Sequence, residues 1–286
     1  MLFLLPLLYI LYTDIMWLAE LSTKPTTRTG PTFRKVFWIN LDETGSRATH
    51  MREFLHEYRL DGERVPGVRP EEILFQPDLR QLVTNVELPW CEICTNCQEI
   101  VVDGVAFVAS CASDLVHRRA YSMVAKQQDD GLYLITEDDV GKKRGLKGDW
   151  VSIAMRCITT APEDWVILRI GSSFKGGDED LVTGADSTSD CAWLSVGQKF
   201  QKSDATGTKV RYNGAHAIVL TPERARRVLQ HIAPHSLSWA DSWTGDSPDG
   251  RIKSYVLKQD LVTQDKKAFG SIRGGIDKLS PPPSVN

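Results

Sequence analysis

An α/β sandwich built around a mainly parallel sheet is the fold this chain predicts. Short apolar runs of strand length recur at residues 36–41, 132–136, 165–170 and 215–220. Segments with helical spacing of apolar residues separate them. Strands that alternate with helices argue for a parallel sheet covered by helices. The run 132–136 ends in three consecutive acids, Glu137, Asp138 and Asp139. A strand that delivers carboxylates at its C-terminal end places them where α/β proteins bind ligands.

Taken in order, residues 36–41 form a first buried strand, ended by Asp42, Glu43, Thr44 and Gly45. Met51, Phe54, Leu55 and Tyr58 then recur at helical spacing and predict a helix, completing a βα unit. Residues 65–70 read as a short second strand and turn. Residues 71–104 are irregular and form a cysteine-rich insertion. Val116, Ala120, Met123 and Val124 make one helical face that leads into the strand with the acids. Residues 150–160 have helical character and stop before Pro162. The next strand, 165–170, is closed by Gly171. Residues 174–190 are rich in Gly and Asp without a period and predict a mobile surface loop. After the strand 215–220, Thr221 and Pro222 open a helix as N-cap and first residue. Its face is Ala225, Val228, Leu229 and Ile232. The tail from Gly270, ending in Pro281, Pro282 and Pro283, is expected to be loose. No internal repeat is evident.

A length of 286 residues bounds the chain to one large domain or two small ones, and 42% hydrophobic with 25% charged residues is ordinary globular composition. A net charge of −3 leaves no electrostatic footprint for nucleic acid. Lys142, Lys143, Arg144 and Lys147 form a local basic cluster after the acids, either a solvated loop or a phosphate or acceptor contact. The first twenty-one residues differ. Leu2, Phe3, Leu4, Leu5, Leu7, Leu8, Ile10, Leu11, Ile15, Leu18 and Leu21 dominate them. At roughly −0.5 kcal/mol each they favour membrane insertion by about 5 kcal/mol, and Asp14 opposes by about 3. Residues 1–21 therefore read as a signal-anchor or a signal peptide. Lys24, Arg28, Arg34 and Lys35 all follow the segment, which by the positive-inside rule puts the body in the cytoplasm. Residues 22–32 read as a linker or stem, residues 33–272 as the main domain, and residues 273–286 as the tail.

Six cysteines are present. Cys91, Cys94 and Cys97 form C-x-x-C-x-x-C, while Cys111, Cys157 and Cys191 are scattered. Three readings stay open: disulfides, a zinc site with Cys111 as fourth ligand, and free thiols.

Three adjacent acids repel one another unless a cation or hydrogen-bond donors sit among them. Hard oxygen ligands suit Mg²⁺ or Mn²⁺, which in turn suit a diphosphate. Continued strand alternation would bring Glu137 and Asp139 to one side. The competing reading is a solvated acidic turn.

These residues together resemble glycosyltransferase family 25, which contains lipooligosaccharide galactosyltransferases and collagen hydroxylysine galactosyltransferases. Residues 36–42 with Arg47 and Met51 are similar to its opening "INLD…R…M". Glu63, Arg64, Val65, Pro66, Gly67 and Val68 resemble its "R-hydrophobic-x-A/G-V" strand, and residues 117–121 its "SH-x-x-A-Y/W" helix. Residues 134–140 resemble the "LILEDDV" signature, and residues 214–220 with Ala225 its "G-x-x-A-Y" strand and helix. Gln264 and Ser271 resemble its C-terminal "Q…S" pair. The pieces lie in the family's order. The chain departs from the pattern in Val116 where Ser is usual, in Thr136 before the acids, and in the cysteine-rich insertion.

The resemblance implies a GT-A type, Rossmann-like sandwich that binds a UDP-sugar, usually UDP-galactose. It implies transfer with inversion to a glycan or glycoprotein hydroxyl, assisted by Mn²⁺ or Mg²⁺. Asp139 is then the direct metal ligand, together with Glu137. Glu137 or Asp138 reaches metal-bound water or the ribose, and Asn40 and His117 stand on the donor side. Inversion needs a base for the acceptor proton. Asp241 is the expected base, with Asp246 and Asp249 as alternatives and Trp239 and Trp243 as a sugar platform. The resemblance also favours a body in the Golgi or ER lumen, held to the membrane by the N-terminal segment. Blander readings stand beside these: Asp241 as an N-cap or turn residue, His117 as a packed helix histidine, His216 as a buried hydrogen-bonded one. Arg47 is either a phosphate contact or a solvated arginine. A non-catalytic relative that binds glycans or partners is the alternative function. A metal-dependent phosphohydrolase using Asp42 is a third.

Overall fold

Apolar runs that face core on both sides have to lie inside a sheet covered on both faces, and that is where the chain puts them. The computed structural model describes residues 30–41, 45–69, 105–171, 191–196, 216–232 and 250–265, with backbone alone for 105–111. The expected membrane segment, most of the stem, the cysteine-rich insertion, the 174–190 loop and the tail lie outside the described residues. Among the described residues no helix is long and apolar enough to cross a membrane.

In chain order the elements are β1 (Lys35–Asn40), α1 (Gly45–Glu57), β2 (Gly62–Pro66), α2 (Val105–Ala125), β3 (Tyr133–Glu137), β4 (Val140–Lys142) and α3 (Trp150–Ile158). They continue with β5 (Ile167–Gly171), β6 (Trp193–Ser195), β7 (Ala217–Leu220), α4 (Pro222–His231), β8 (Ser254–Leu257) and β9 (Val262–Gln264). Seven strands form one sheet in the order β2-β1-β3-β7-β5-β8-β6, and β4 pairs with β9 separately. β1 runs parallel to β2 and β3, and β5 parallel to β8, while β7 and β6 run against their neighbours. Five of the seven strands therefore point one way, so the sheet is mostly parallel, as expected.

Alternation along each strand feeds two cores. Val36, Trp38 and Leu134 enter one, with Met51, Phe54 and Leu55 of α1 and Trp150, Val151 and Ala154 of α3. Phe37, Tyr133 and Ile135 enter the other, with Val116, Ala120 and Val124 of α2 and Ala225 and Val228 of α4. Each fully buried side chain of this size contributes about 1.5–3 kcal/mol. Trp150 knits the first core: it stacks on Phe54 at 5.6 Å and meets Tyr58 edge-on at 5.6 Å and Phe33 at 6.2 Å. Local signals set the helix starts. Asp149 caps α3 by accepting from the Ser152 amide, and Thr221 caps α4 ahead of Pro222.

Two of the cysteines read as scattered are joined. Cys157 in the last turn of α3 and Cys191 just before β6 form a disulfide across 34 residues. The Trp193 indole N–H donates to the Cys157 carbonyl at 3.1 Å. Together these tie the short edge strand β6 to α3.

At the end of β5, glycine is required by close approach. A Cβ on Gly171 would lie 2.5 Å from the Val262 carbonyl oxygen and 3.2 Å from His216 Nε2. The first of these is backbone and cannot swing aside.

Two outcomes follow from this packing. Peptide mapping without reductant is expected to recover Cys157 cross-linked to Cys191. Removing the link through Cys191→Ala should lower stability by about 3–4 kcal/mol, the loop-closure value for this span; two free thiols in the oxidised protein would contradict it. Gly171→Ala should cost about 1–3 kcal/mol through overpacking, read as a lower denaturant midpoint, and an unchanged midpoint would show that β5 and β9 do not approach so closely.

Candidate functional site

β1 and β3 lie side by side with Ile39 level with Glu137, so Asn40 and the acids reach the same sheet edge. The chain leaves β1 through α1 on one face and enters β2 on one side. It then returns through α2 on the other face to β3, on the other side of β1. The strand order thus reverses between β1 and β3. Ligands of open α/β sheets bind in the crevice outside the C-terminal ends of strands at such a switch point.

A chain of side chains spans this crevice. Asn40 Nδ2 donates to Asp138 Oδ2 at 2.8 Å. Asn40 Oδ1 accepts from Arg64 Nε at 3.1 Å. Arg47, in the first turns of α1, donates from Nη1 to Asp138 Oδ1 at 2.7 Å, and the same atom lies 3.6 Å from Asp139 Oδ2. Arg47, Asp138 and Asp139 are all buried, at 4%, 4% and 6% exposure. Removing one partner of a buried pair like this costs about 3–5 kcal/mol, because a charge stays behind without compensation.

The acids do not follow strand alternation. β3 ends at Glu137, and Asp138 and Asp139 form a turn. Arg47 then gathers Asp138 and Asp139 together, while Glu137 takes a different partner: Gln264 of β9 donates to its Oε2. β9 is brought there by its antiparallel pairing with β4, which sets Val140 level with Gln264. The Asp265 amide donates to the Asp139 carbonyl at 2.7 Å, and Asp265 itself is exposed. His50 of α1 closes the other side, its Nε2 lying 2.7 Å from the Val140 carbonyl oxygen.

Arg47 is therefore not solvated. Its place four residues before Met51 puts it on the buried face of α1 and is the signal that identifies it. His117 is buried at 1% exposure, and its Nδ1 lies 2.8 Å from the Ser113 carbonyl oxygen, so Nδ1 carries the proton. It stands on α2, on the opposite face of the sheet from Arg47. Arg119 of the same helix donates to the Pro66 carbonyl at 2.9 Å, at the C-terminal end of β2. His216 is likewise buried, at 1%. Its carbonyl accepts the Glu137 amide at 3.3 Å, which sets the start of β7 against the acids. In the basic cluster Lys142 belongs to β4 and donates to the Gly148 carbonyl at 2.9 Å. Asp241, Asp246, Asp249, Trp239, Trp243, Ser271, Asp42, Cys91, Cys94 and Cys97 lie outside the described residues, as does the side chain of Cys111.

Hard carboxylate oxygens at a strand end fit Mg²⁺ or Mn²⁺, which are commonly held by one or two carboxylates together with substrate phosphates. Asp138 has a donor on each oxygen, Asp139 shares the Arg47 cation and Glu137 accepts from Gln264. Among the described residues no group of three or more His, Cys, Asp and Glu side chains is arranged to hold a metal ion.

Compared with known proteins, the chain matches no protein-family model and no curated protein.

Proposed function

We propose that this chain is a GT-A type glycosyltransferase that moves a sugar, galactose by its resemblance, from a UDP-sugar to a glycan or glycoprotein hydroxyl with inversion. One observation carries the reading. Asn40, Arg47, Arg64, Glu137, Asp138, Asp139 and Gln264 come from motifs scattered along the chain, with the bonded pairs 24, 91, 98 and 127 residues apart. Asn40, Arg47, Arg64, Asp138 and Asp139 form one hydrogen-bonded and ion-paired network at the switch point of the sheet, and Glu137 with Gln264 forms a separate pair beside it. Each belongs to a piece of the family 25 resemblance.

Chemistry gives each a task. A divalent cation held by Asp139 and Glu137 would neutralise the diphosphate as the glycosidic bond breaks. Arg47 sets the direction of the two acids in the turn and adds fixed positive charge beside them. α1 begins at the same edge, and its first amides favour an anion. Asp241 takes the acceptor proton. The Cys157–Cys191 disulfide supports a body that matures in an oxidising compartment, which accords with a lumenal enzyme.

The test is a panel of UDP-sugars with Mn²⁺, scored by UDP release with and without glycan acceptors. Asp139→Asn is expected to abolish turnover while its melting curve stays cooperative. Asp241→Asn should cut turnover about 10²- to 10⁴-fold with donor affinity nearly unchanged. UDP-sugar binding without release from any donor would favour the non-catalytic alternative. Absence of both binding and release would sink the donor reading.

A further inference from the structure

We propose that Arg47 is the positioning residue of the acidic turn and that Asp138 is its anchor. The proposal deepens the donor reading but rests on it only for the binding arm of the test below.

The argument starts from burial. A guanidinium at 4% exposure is expensive to desolvate and persists only where its charge is used. Here one nitrogen serves two consecutive carboxylates, at 2.7 Å to Asp138 and 3.6 Å to Asp139. Asp138 is held from the other side by Asn40, at 2.8 Å, and Asn40 by Arg64, at 3.1 Å. Every link is mounted on a fixed element. β1 and β2 pair in register up to Asn40 and Pro66, and α1 packs on the sheet through Met51, Phe54 and Leu55. Asp138 thus has a donor on each oxygen, which fixes the direction of its carboxylate.

That fixes its neighbours. Asp139 shares the Arg47 cation, and its backbone carbonyl is tied to the Asp265 amide at 2.7 Å. Glu137 is held separately by Gln264. Two carboxylates are therefore presented from either side of an immobilised third. Side chains that orient ligands in this way typically change affinity 10- to 100-fold when lost. Arg47 and Asp138 form the strut, and Asp139 and Glu137 are what the strut aims.

A double-mutant cycle tests this. Wild type, Arg47→Met, Asp138→Asn and the double variant would be compared by melting temperature and by calorimetric titration with Mn²⁺ and UDP together. Arg47→Met should lower the melting temperature by about 10 °C, since it strands a buried anion. The double variant should recover part of that loss, because one of the two carboxylates that Arg47 serves is then neutral. Affinity for Mn²⁺ with UDP should fall roughly 10- to 100-fold in Arg47→Met and stay low in the double variant. Additive losses in the double variant would overturn the proposal, since an arginine that only fills space would give them. So would wild-type affinity in Arg47→Met. If Arg47→Met does not fold, Arg47→Gln, which also removes the charge, replaces it in the same cycle and is read the same way. Coupling in the melting temperatures without any Mn²⁺–UDP binding by wild type would leave the strut standing and remove the donor reading. Full binding without coupling would do the reverse.

Discussion

The Arg47–Asp138 ion pair is the contact on which the site depends, and its side chains are each 5% exposed. Taken alone, a pair this deep contributes little net stability, because desolvation offsets most of the Coulomb attraction. Its value is geometric: it joins α1 on one face of the sheet to the turn that follows β3. It also explains why β1 ends in asparagine. Position 40 must accept from Arg64 and donate to Asp138 at once, and one amide does both. Aspartate there would repel Asp138, and leucine would remove both hydrogen bonds at about 0.5–1.5 kcal/mol each.

The antiparallel strand in the middle of the sheet serves the same edge. β7 runs against β3 and β5, so it brings its N-terminal end to the place where its neighbours bring their C-terminal ends. His216 arrives there and binds the Glu137 amide through its carbonyl. β9 then passes Gly171 at a distance that leaves no room for a side chain. One carboxylate, Glu137, is consequently supported by three strands that are far apart in sequence: its own, β7 through the backbone, and β9 through Gln264.

The two-sided apolar runs made β1, β3, β5 and β7 legible, and helical spacing made the four helices legible, because burial dictates both patterns. Strand direction was not legible: a run that faces core on both sides reads the same either way, so the reversed β7 carries no mark. β4, β6, β8 and β9 span only three or four residues. Unlike β7, which lies within the six-residue run 215–220, they carry no period that can be told from chance, and they exist because neighbouring strands offer hydrogen bonds. The acids announced the site, and the resemblance named Asn40, Arg47, Arg64 and Gln264 without pairing them to the acids. Asp138 and Asp139 leave the strand and follow a turn, so a rule of alternation could not sort them. Arg47 did leave a trace, one helical turn before Met51, but a cation on an apolar face is interpretable only once its counter-ion is known. The Cys157–Cys191 pair left none, since spacing alone does not give connectivity.

Two physical signals in this chain bear on where its body resides, and they point in opposite directions. Lys24, Arg28, Arg34 and Lys35 follow the apolar N-terminal segment and by the positive-inside rule draw the body toward the cytoplasm. The disulfide points the other way, because a reducing cytosol keeps thiols open. The rule describes a bias in insertion that neighbouring charges can reverse. The disulfide is a bond inside the folded body: it closes α3 onto an edge strand whose next residues, Trp193 and Leu194, are buried at 1%. Reduction would open that edge and weaken the contact between Trp193 and Cys157 that covers it. The lumenal reading proposed above therefore draws on the disulfide and not on the flanking charges.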